Sequence, residues 1–275
     1  MPSFNERLES YCRKKGTRVC VGLDLDRDRL PQGVSHTKDG MASFLAEVIE
    51  ATEPFAAAYK PNVAFYEAMG IDGMRLLETL VAHVHAKTEA PVILDAKRGD
   101  VGHTAKHYAE ALFGRFAADA VTVSPYMGWD AVAPFTEDPA KGVFVLTRTS
   151  NPSAGDLQDL EVGRRPLYLH VADLVKEWNG KGNVGVVAGA TGPEEMAKVR
   201  KTVGAGVPFL VPGVGAQGGD PGAAARAAAD AEGGAFIVNA GRSILFASEG
   251  RDYAKAAASA AEALRDRMRT AIGKL

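Results

Sequence analysis

Cysteine is almost absent from this chain of 275 residues, which contains only Cys12 and Cys20. Two cysteines at this spacing provide neither a disulfide framework nor a Cys-X-X-Cys metal site, and we expect both to be reduced thiols. No apolar run approaches the ~20 residues that a bilayer-spanning helix needs. The first residues also lack the basic and then apolar pattern of a secretory signal. We therefore expect a cytoplasmic protein that does not contact a membrane.

An excess of charge of one sign is also missing. Basic residues number 32 and acidic residues 34, which gives a formal net charge of −2. Because such a balance attracts neither nucleic acid nor anionic lipid, we expect no nucleic-acid partner. Apolar residues make up 46% of the chain and charged residues 24%, which excludes a largely disordered protein. The length is near the upper limit for one core, and we expect residues 1–275 to form a single domain.

Short runs rich in Val, Ile, Leu and Ala recur along the chain and are typical of strands buried on both faces of a parallel sheet. The runs are Val19–Leu25, Phe55–Pro61, Pro91–Lys97, Ala120–Pro125, Val143–Thr149, Val184–Ala190, Pro208–Val214 and Ala235–Gly241. Amphipathic stretches lie between most of them, and a short helix over Phe4–Lys14 precedes the first. This alternation predicts a single (β/α)8 TIM barrel of the α/β class, with an open doubly wound sheet as the alternative.

Polar residues at the ends of these runs favour the barrel, because barrel enzymes build their active sites on that rim. The residues follow seven different strands: Asp24, Lys60, Asp95, Lys97, Ser124, Thr147, Thr191 and Arg242. The loop Thr149–Asp159 after the fifth strand is longer than the ~2–6 residues usual for such a connection. We expect it to act as a lid over the rim.

The densest group of charges is Asp95-Ala96-Lys97-Arg98-Gly99-Asp100. Because side chains alternate along a strand, Asp95 and Lys97 should point the same way. Asp100 should open the next helix and share one of its faces with Thr104. With Lys60 these residues would form an array of alternating sign. The alternative is a structural ion pair at the end of a strand.

The signs in this array select the chemistry. A lysine that forms a Schiff base must be neutral, whereas Lys97 between two carboxylates should be an ammonium at pH 7. An ammonium can stabilise a developing carbanion and then protonate it. The pattern therefore disfavours a Schiff-base aldolase.

Glycine-rich segments follow the seventh and eighth strands. The first includes Pro212, Gly213 and Gln217, and the second is Gly241-Arg242-Ser243. Barrels often bind phosphate with backbone N–H groups in these two loops, and Arg242 can bind phosphate oxygens in a bidentate fork. The alternative is a plain glycine turn. The first segment also matches the GxGxxG pattern of dinucleotide folds, but the following strand lacks the acidic residue that such folds require.

No metal site is evident in the sequence. His103 and His107 are four residues apart on a predicted helix, but they lack the glutamate of an HExxH motif and a third ligand. We expect them to be surface or packing histidines.

Taken in order along the chain, the motifs resemble the orotidine 5′-phosphate decarboxylase family. They are Gly22-Leu23-Asp24, Lys60-Pro61-Asn62, Asp95–Asp100, Pro212–Asp220 and Gly241-Arg242-Ser243, and Thr149-Ser150-Asn151-Pro152 is similar to the longer bacterial "type 2" branch. The resemblance implies decarboxylation of orotidine 5′-monophosphate (OMP) to UMP in de novo pyrimidine synthesis. It also implies a homodimer that needs neither a metal nor an organic cofactor.

The resemblance assigns a role to each catalytic candidate. Asp24 and Lys60 would contact the ribose. Asp95 would lie near the departing carboxylate, and Lys97 would protonate C6 of the pyrimidine. Whether Asp95 repels the substrate carboxylate or mainly holds Lys97 stays open.

The remaining candidates would bind substrate. Asp100 and Thr104 would reach across the dimer interface into the partner's site. Ser150 would contact the pyrimidine edge, with Thr149 as the alternative register. The phosphate would be bound by the two glycine-rich loops, through Pro212, Gly213, Gln217, Gly241 and Arg242.

Two other functions remain as alternatives. A related phosphosugar lyase, for hexulose phosphate or ketogulonate phosphate, would hold a divalent ion on Asp24 and Asp95, which the adjacent Lys97 disfavours. A catalytically inactive nucleotide sensor would have a broken charged array, and all four members are present here.

Overall fold

The computed structural model describes residues 2–215 and 218–273, in which parallel strands form an eight-stranded barrel. Its strands are β1 Val19–Gly22, β2 Ala56–Lys60, β3 Ile93–Arg98, β4 Ala120–Val123, β5 Gly142–Arg148, β8 Val184–Ala188, β9 Phe209–Val211 and β10 Phe236–Ala240. Their order is β2-β1-β10-β9-β8-β5-β4-β3. Isolated parallel bridges, Tyr59 to Val92 and Asn62 to Asp95, connect β2 with β3 and nearly close the sheet. The predicted barrel is confirmed, and the open sheet is excluded.

Helices follow most strands and surround the barrel. The longer ones are α1 Phe4–Lys15, α2 Lys38–Thr52, α4 Gly70–Lys87, α5 Gly102–Ala109, α8 Leu167–Trp178, α9 Pro193–Val203, α10 Pro221–Ala228 and α12 Tyr253–Ile272. A π-helical segment, Glu110–Arg115, continues α5. In the described part of the chain, no helix combines the length and the apolar character needed to cross a bilayer.

Four short helices and a hairpin were not predicted from the sequence. The helices are α3 Val63–Glu67, α6 Trp129–Val132, α7 Gly155–Gln158 and α11 Arg242–Leu245, and the hairpin pairs β6 Glu161–Val162 with β7 Arg165–Pro166. Each helix spans only four or five residues, which is too short for apolar periodicity to be read. All four begin shortly after a barrel strand, at the mouth.

Helix α1 packs across the amino-terminal end of the barrel, opposite the mouth. It begins with a capping box between Ser3 and Glu6. Its apolar face places Phe4 and Leu8 in the cluster that fills the barrel interior, where the ring of Phe4 meets Phe144 edge-on at 6.1 Å. The base of the barrel is therefore filled, and the opposite end is left open for ligands.

Candidate active site

A cavity of about 740 Å³ opens at the carboxyl ends of the barrel strands. One side is charged and is built by β1, β2 and β3. The other side presents Leu146, Val187 and Leu210 from β5, β8 and β9. Of the predicted site residues, those that line the cavity are Asp24, Lys60, Asp95, Lys97, Ser150, Pro212, Gly213, Gly241 and Arg242.

Asp95 is the centre of the charged side. Its Oδ2 accepts a hydrogen bond from Lys60 Nζ at 3.0 Å, and its Oδ1 accepts one from Lys97 Nζ at 2.6 Å. The hydroxyl of Thr122 also donates to Oδ1, at 2.8 Å. Burial alone would raise the pKa of Asp95, but the charges of Lys60 and Lys97 outweigh burial and hold it well below its usual range. Asp95 is therefore a carboxylate at neutral pH.

Lys60 is a buried ammonium between two carboxylates. It is 2% exposed, and its Nζ lies 3.0 Å from Asp95 and 4.0 Å from Asp24. Burial would lower the pKa of Lys60, but Asp95 and Asp24 outweigh this effect and raise the pKa above its usual value. A divalent ion between the two carboxylates would have to displace this ammonium, which disfavours a metal at that position.

Lys97 and Asp95 lie on the same side of β3, as predicted, and Lys97 faces the cavity with a side chain that is 48% exposed. Asp100 departs from the expectation. The series within one chain runs Asp24, Lys60, Asp95, Lys97, so Asp24 extends it beyond Lys60, and Asp100 does not extend it beyond Lys97. Asp100 follows the Gly99 turn, and its Oδ1 accepts from the N–H of Val101 at 2.8 Å.

Asp100 and Thr104 do not line the cavity of their own chain. Helix α5 begins only at Gly102, so Asp100 precedes the helix and the shared helical face with Thr104 is not formed. Three other rim residues from the sequence analysis also lie outside the cavity lining: Ser124, Thr147 and Thr191. For Thr147 the reason is clear, because it is 2% exposed and donates to the carbonyl of Val145 at 3.0 Å.

The glycine-rich loops follow β9 and β10, and because β10 is the neighbour of β1, the second loop lies beside Asp24. Gly213 has a φ of 97°, which is a left-handed conformation that favours glycine. A Cβ on Gly22 would lie 2.6 Å from Cα of Gly241, so β1 can approach this loop so closely only with glycine at position 22. Arg242 begins α11 and is exposed at the cavity. Gln217, also predicted to bind phosphate, lies outside the described residues.

The predicted lid forms another wall of the cavity. It contains a 3₁₀ turn, Pro152–Ala154, followed by α7. Arg148 and Asp159 join its two ends: Arg148 Nε donates to Asp159 Oδ1 at 2.8 Å, and Arg148 Nη2 donates to Asp159 Oδ2 at 3.0 Å. The hydroxyl of Thr149 donates to Asn151 Oδ1 at 2.6 Å and accepts from Gln158 Nε2 at 2.8 Å, within the lid. Thr149 and Ser150 both line the cavity.

Polar residues that line the cavity but were not among the predicted site residues include Asn62, Thr122 and Asn239. The backbone N–H of Asn62 donates to Asp24 Oδ1 at 3.0 Å and orients that carboxylate. Thr122 and Asn239 are buried polar residues within apolar strands. That isolated polarity within an apolar strand is the signal that could have identified them.

Among the described residues, no three His, Cys, Asp or Glu side chains are grouped as a metal ion would need. His103 and His107 are exposed as expected, and their rings pack against each other at 5.1 Å.

Comparison with known proteins gives one consistent result. Residues 17–257 match the Orotidine 5′-phosphate decarboxylase / HUMPS family. An orotidine 5′-phosphate decarboxylase of Cupriavidus metallidurans is 46% identical and covers 94% of this chain and 95% of its own. One from Roseiflexus castenholzii is 45% identical and covers 98% of both chains. The structure of Leishmania donovani OMP decarboxylase has a TM-score of 0.81 and 40% identity, covering 96% of this chain and 100% of that chain.

Proposed function

The chain belongs to the orotidine 5′-phosphate decarboxylase family, and we propose that it converts OMP to UMP and CO₂ in the cavity at the barrel mouth. This reaction belongs to pyrimidine biosynthesis, and the proposal assigns it to a single domain in the cytoplasm. The observation that carries the proposal is the contact of one carboxylate, Asp95, with two ammonium groups, those of Lys60 and Lys97.

In the proposed reaction, the bond between C6 and the carboxylate carbon breaks, and CO₂ leaves its electron pair on C6. The ammonium of Lys97 stabilises this carbanion and transfers a proton to C6, which forms the C–H bond of UMP. Lys97 is then neutral and regains a proton from water, to which its side chain is 48% exposed. No further reactant is needed, and the proposal includes neither a metal nor an organic cofactor.

Asp95 has the contacts of a residue that holds Lys97. Its two oxygens accept from three donors, Lys60, Lys97 and Thr122, so the carboxylate is fixed and fully charged before substrate arrives. Preorganised charge of this kind stabilises a transition state without reorganisation during the reaction. The contacts support positioning of Lys97 as the role of Asp95.

The rest of the cavity suits the other parts of the nucleotide. The apolar residues Leu146, Val187 and Leu210 offer a surface for the flat pyrimidine. Ser150, which lines the cavity, is assigned to the pyrimidine edge by the resemblance of Thr149-Ser150-Asn151-Pro152 to the family. Asp24 and Lys60 are assigned to the ribose. The phosphate is assigned to the loops that carry Pro212, Gly213, Gln217, Gly241 and Arg242.

Asp100 and Thr104 are proposed to serve the site of a partner subunit. Exposed apolar side chains lie on the connection after β3 and on the connection after β4. Val101 is 50% exposed, Tyr126 81% and Trp129 44%. The two connections are adjacent, because a Cβ on Gly102 would lie 3.3 Å from the carbonyl of Asp130. A patch of this kind is typical of a protein interface, and a two-fold axis would make the same patch serve both sites.

The test is the loss of OMP absorbance when purified protein is added in excess EDTA. The proposal expects complete conversion to UMP with no added metal. Activity that disappears in EDTA and returns with Mg²⁺ would instead indicate a metal-dependent lyase. Binding of OMP without conversion would indicate a nucleotide sensor.

A further inference from the structure

Strand β3 bulges away from β4 at the point where it carries the charged residues. The register pairs Leu94 with Val121 and next pairs Arg98 with Val123. Asp95, Ala96 and Lys97 therefore lie opposite the single residue Thr122. A bulge of this kind interrupts the ladder and re-aims side chains, and it is common beside active sites.

The hydroxyl of Thr122 fills the gap in the ladder. It accepts a hydrogen bond from the backbone N–H of Lys97 at 3.0 Å and donates one to Asp95 Oδ1 at 2.8 Å. The same Oδ1 accepts from Lys97 Nζ at 2.6 Å. One buried hydroxyl, on a side chain that is 1% exposed, therefore joins the backbone of Lys97 to the carboxylate that holds its ammonium.

The backbone of Lys97 needs this support. Its φ is 46°, a left-handed conformation that is strained for a residue with a Cβ. Such a conformation persists only where the surroundings determine it, and it is found most often at functional sites. The N–H of Lys97 has no strand partner at the bulge, and Thr122 supplies the acceptor.

We propose that Thr122 is a positioning residue of the decarboxylation, which fixes the Lys97 ammonium relative to C6 of the substrate by binding both ends of the bulge. The inference rests on the proposed function, since the step that it accelerates is the protonation or stabilisation of the C6 carbanion. Thr122 itself transfers no proton to substrate. Its effect should therefore fall on turnover and leave ground-state binding of the nucleotide intact.

The experiment compares Thr122→Val, which keeps the shape and removes the hydroxyl, with Thr122→Ser, which keeps the hydroxyl. We expect Thr122→Val to lower kcat for OMP by at least about 10-fold, while the Kd for UMP stays within about 2-fold. Thr122→Ser should keep kcat within about 3-fold of the wild type. If the valine variant does not fold, Thr122→Ala makes the same comparison, and UMP binding reports the folded state.

Thr147→Val is the matched control, because Thr147 is also a buried barrel threonine but donates within its own strand and does not line the cavity. It should change neither kcat nor UMP binding. A kcat for Thr122→Val within 2-fold of the wild type, a serine variant as slow as the valine variant, or an equal loss in Thr147→Val would each overturn the inference. A wild-type protein that does not convert OMP would instead overturn the proposed function.

Discussion

At the scale of the residue, the site depends on charges that compensate one another out of water. Lys60 is 2% exposed and keeps its charge because Asp95 lies 3.0 Å from its ammonium. Removal of one partner from such a pair leaves an uncompensated buried charge. The polar residues at strand ends made Asp24, Lys60, Asp95 and Lys97 predictable from the sequence. Their order in space was not, because the glycine at position 99 indicates a turn but not the direction in which that turn carries Asp100.

Arg242 is predicted to bind the phosphate group and nothing else of the substrate. Arg242→Ala should lower kcat/KM for OMP by about 100-fold, since charge-assisted hydrogen bonds contribute roughly 1.5–3 kcal/mol each. The slow decarboxylation of the nucleoside orotidine, which lacks the phosphate, should hardly change. Steady-state rates on both substrates measure the difference.

Arg165→Ala is a suitable control for the arginine variant, because Arg165 pairs with Asp173 at 2.8 Å and does not line the cavity. It should leave both rates unchanged. Equal losses on the nucleotide and the nucleoside in Arg242→Ala would mean that Arg242 acts elsewhere than on the phosphate.

At the scale of the element, strands and long helices were predictable because their apolar periods extend over many residues. Helices α9 and α12, for example, extend over 11 and 20 residues. The bulge in β3 was not predictable, because it depends on the register against β4 rather than on the sequence of either strand. The hydrogen bond from the backbone of Lys97 to Thr122 depends on the same register.

Helix α1 is predicted to attach to the barrel through an acid-sensitive contact. Glu9 accepts from both terminal nitrogens of Arg18 at 2.8 Å and from the N–H of Ala235 at 2.9 Å. Burial would raise the pKa of Glu9, but these contacts outweigh burial and lower it from 4.5 to about 2. The stabilisation is therefore complete above pH 4.5 and is lost as the pH falls toward 2.

A shift of this size corresponds to roughly 3 kcal/mol of folding free energy. The free energy of unfolding should fall in both proteins between about pH 5 and pH 2, and the fall in the wild type should exceed that in Glu9→Gln by about this amount. Urea unfolding at each pH measures it. Glu232→Gln is the control, because Glu232 lies at the exposed end of the same network, 3.0 Å from Arg13. If the free energy of unfolding falls equally with pH in the wild type and in Glu9→Gln, Glu9 is not the acid-sensitive contact.

At the scale of the whole molecule, we expect active sites that are shared between two chains. The cavity of one chain lacks Asp100 and Thr104, and exposed apolar side chains surround them. Lys97→Ala and Asp100→Ala homodimers should each be nearly inactive. If the two are dissociated together and re-associated at random, about half of the dimers are mixed, and each mixed dimer has one intact site. Roughly a quarter of the wild-type activity should return.

The control for this experiment is a mixture of Lys97→Ala with Asp95→Ala. Both residues belong to the cavity of the same chain, with Lys97 Nζ 2.6 Å from Asp95 Oδ1. Each site of a mixed dimer therefore carries one of the two mutations. No activity should return. A Lys97→Ala and Asp100→Ala mixture that contains mixed dimers, yet is no more active than its parents, would refute the shared site.

The barrel as a whole was predictable because eight apolar runs separated by amphipathic stretches have few other solutions. The reaction was not predictable from physical chemistry alone. The charged array and the glycine-rich loops indicate carbanion chemistry on a phosphorylated ligand. Identification of that ligand as OMP depends on the resemblance of Asp95–Asp100 and the other motifs to one family, which the 46% identity to a named decarboxylase supports.

The central claim is that Lys97 supplies the proton to C6, and one pair of measurements tests it most directly. Lys97→Ala should lose at least about 1,000-fold in kcat for OMP, because it removes both the stabilising charge and the proton donor. The Kd of the same variant for UMP, measured by calorimetry, should stay within about 10-fold of the wild type. A Lys97→Ala protein that binds UMP and still converts OMP at a tenth of the wild-type rate or faster would contradict the account.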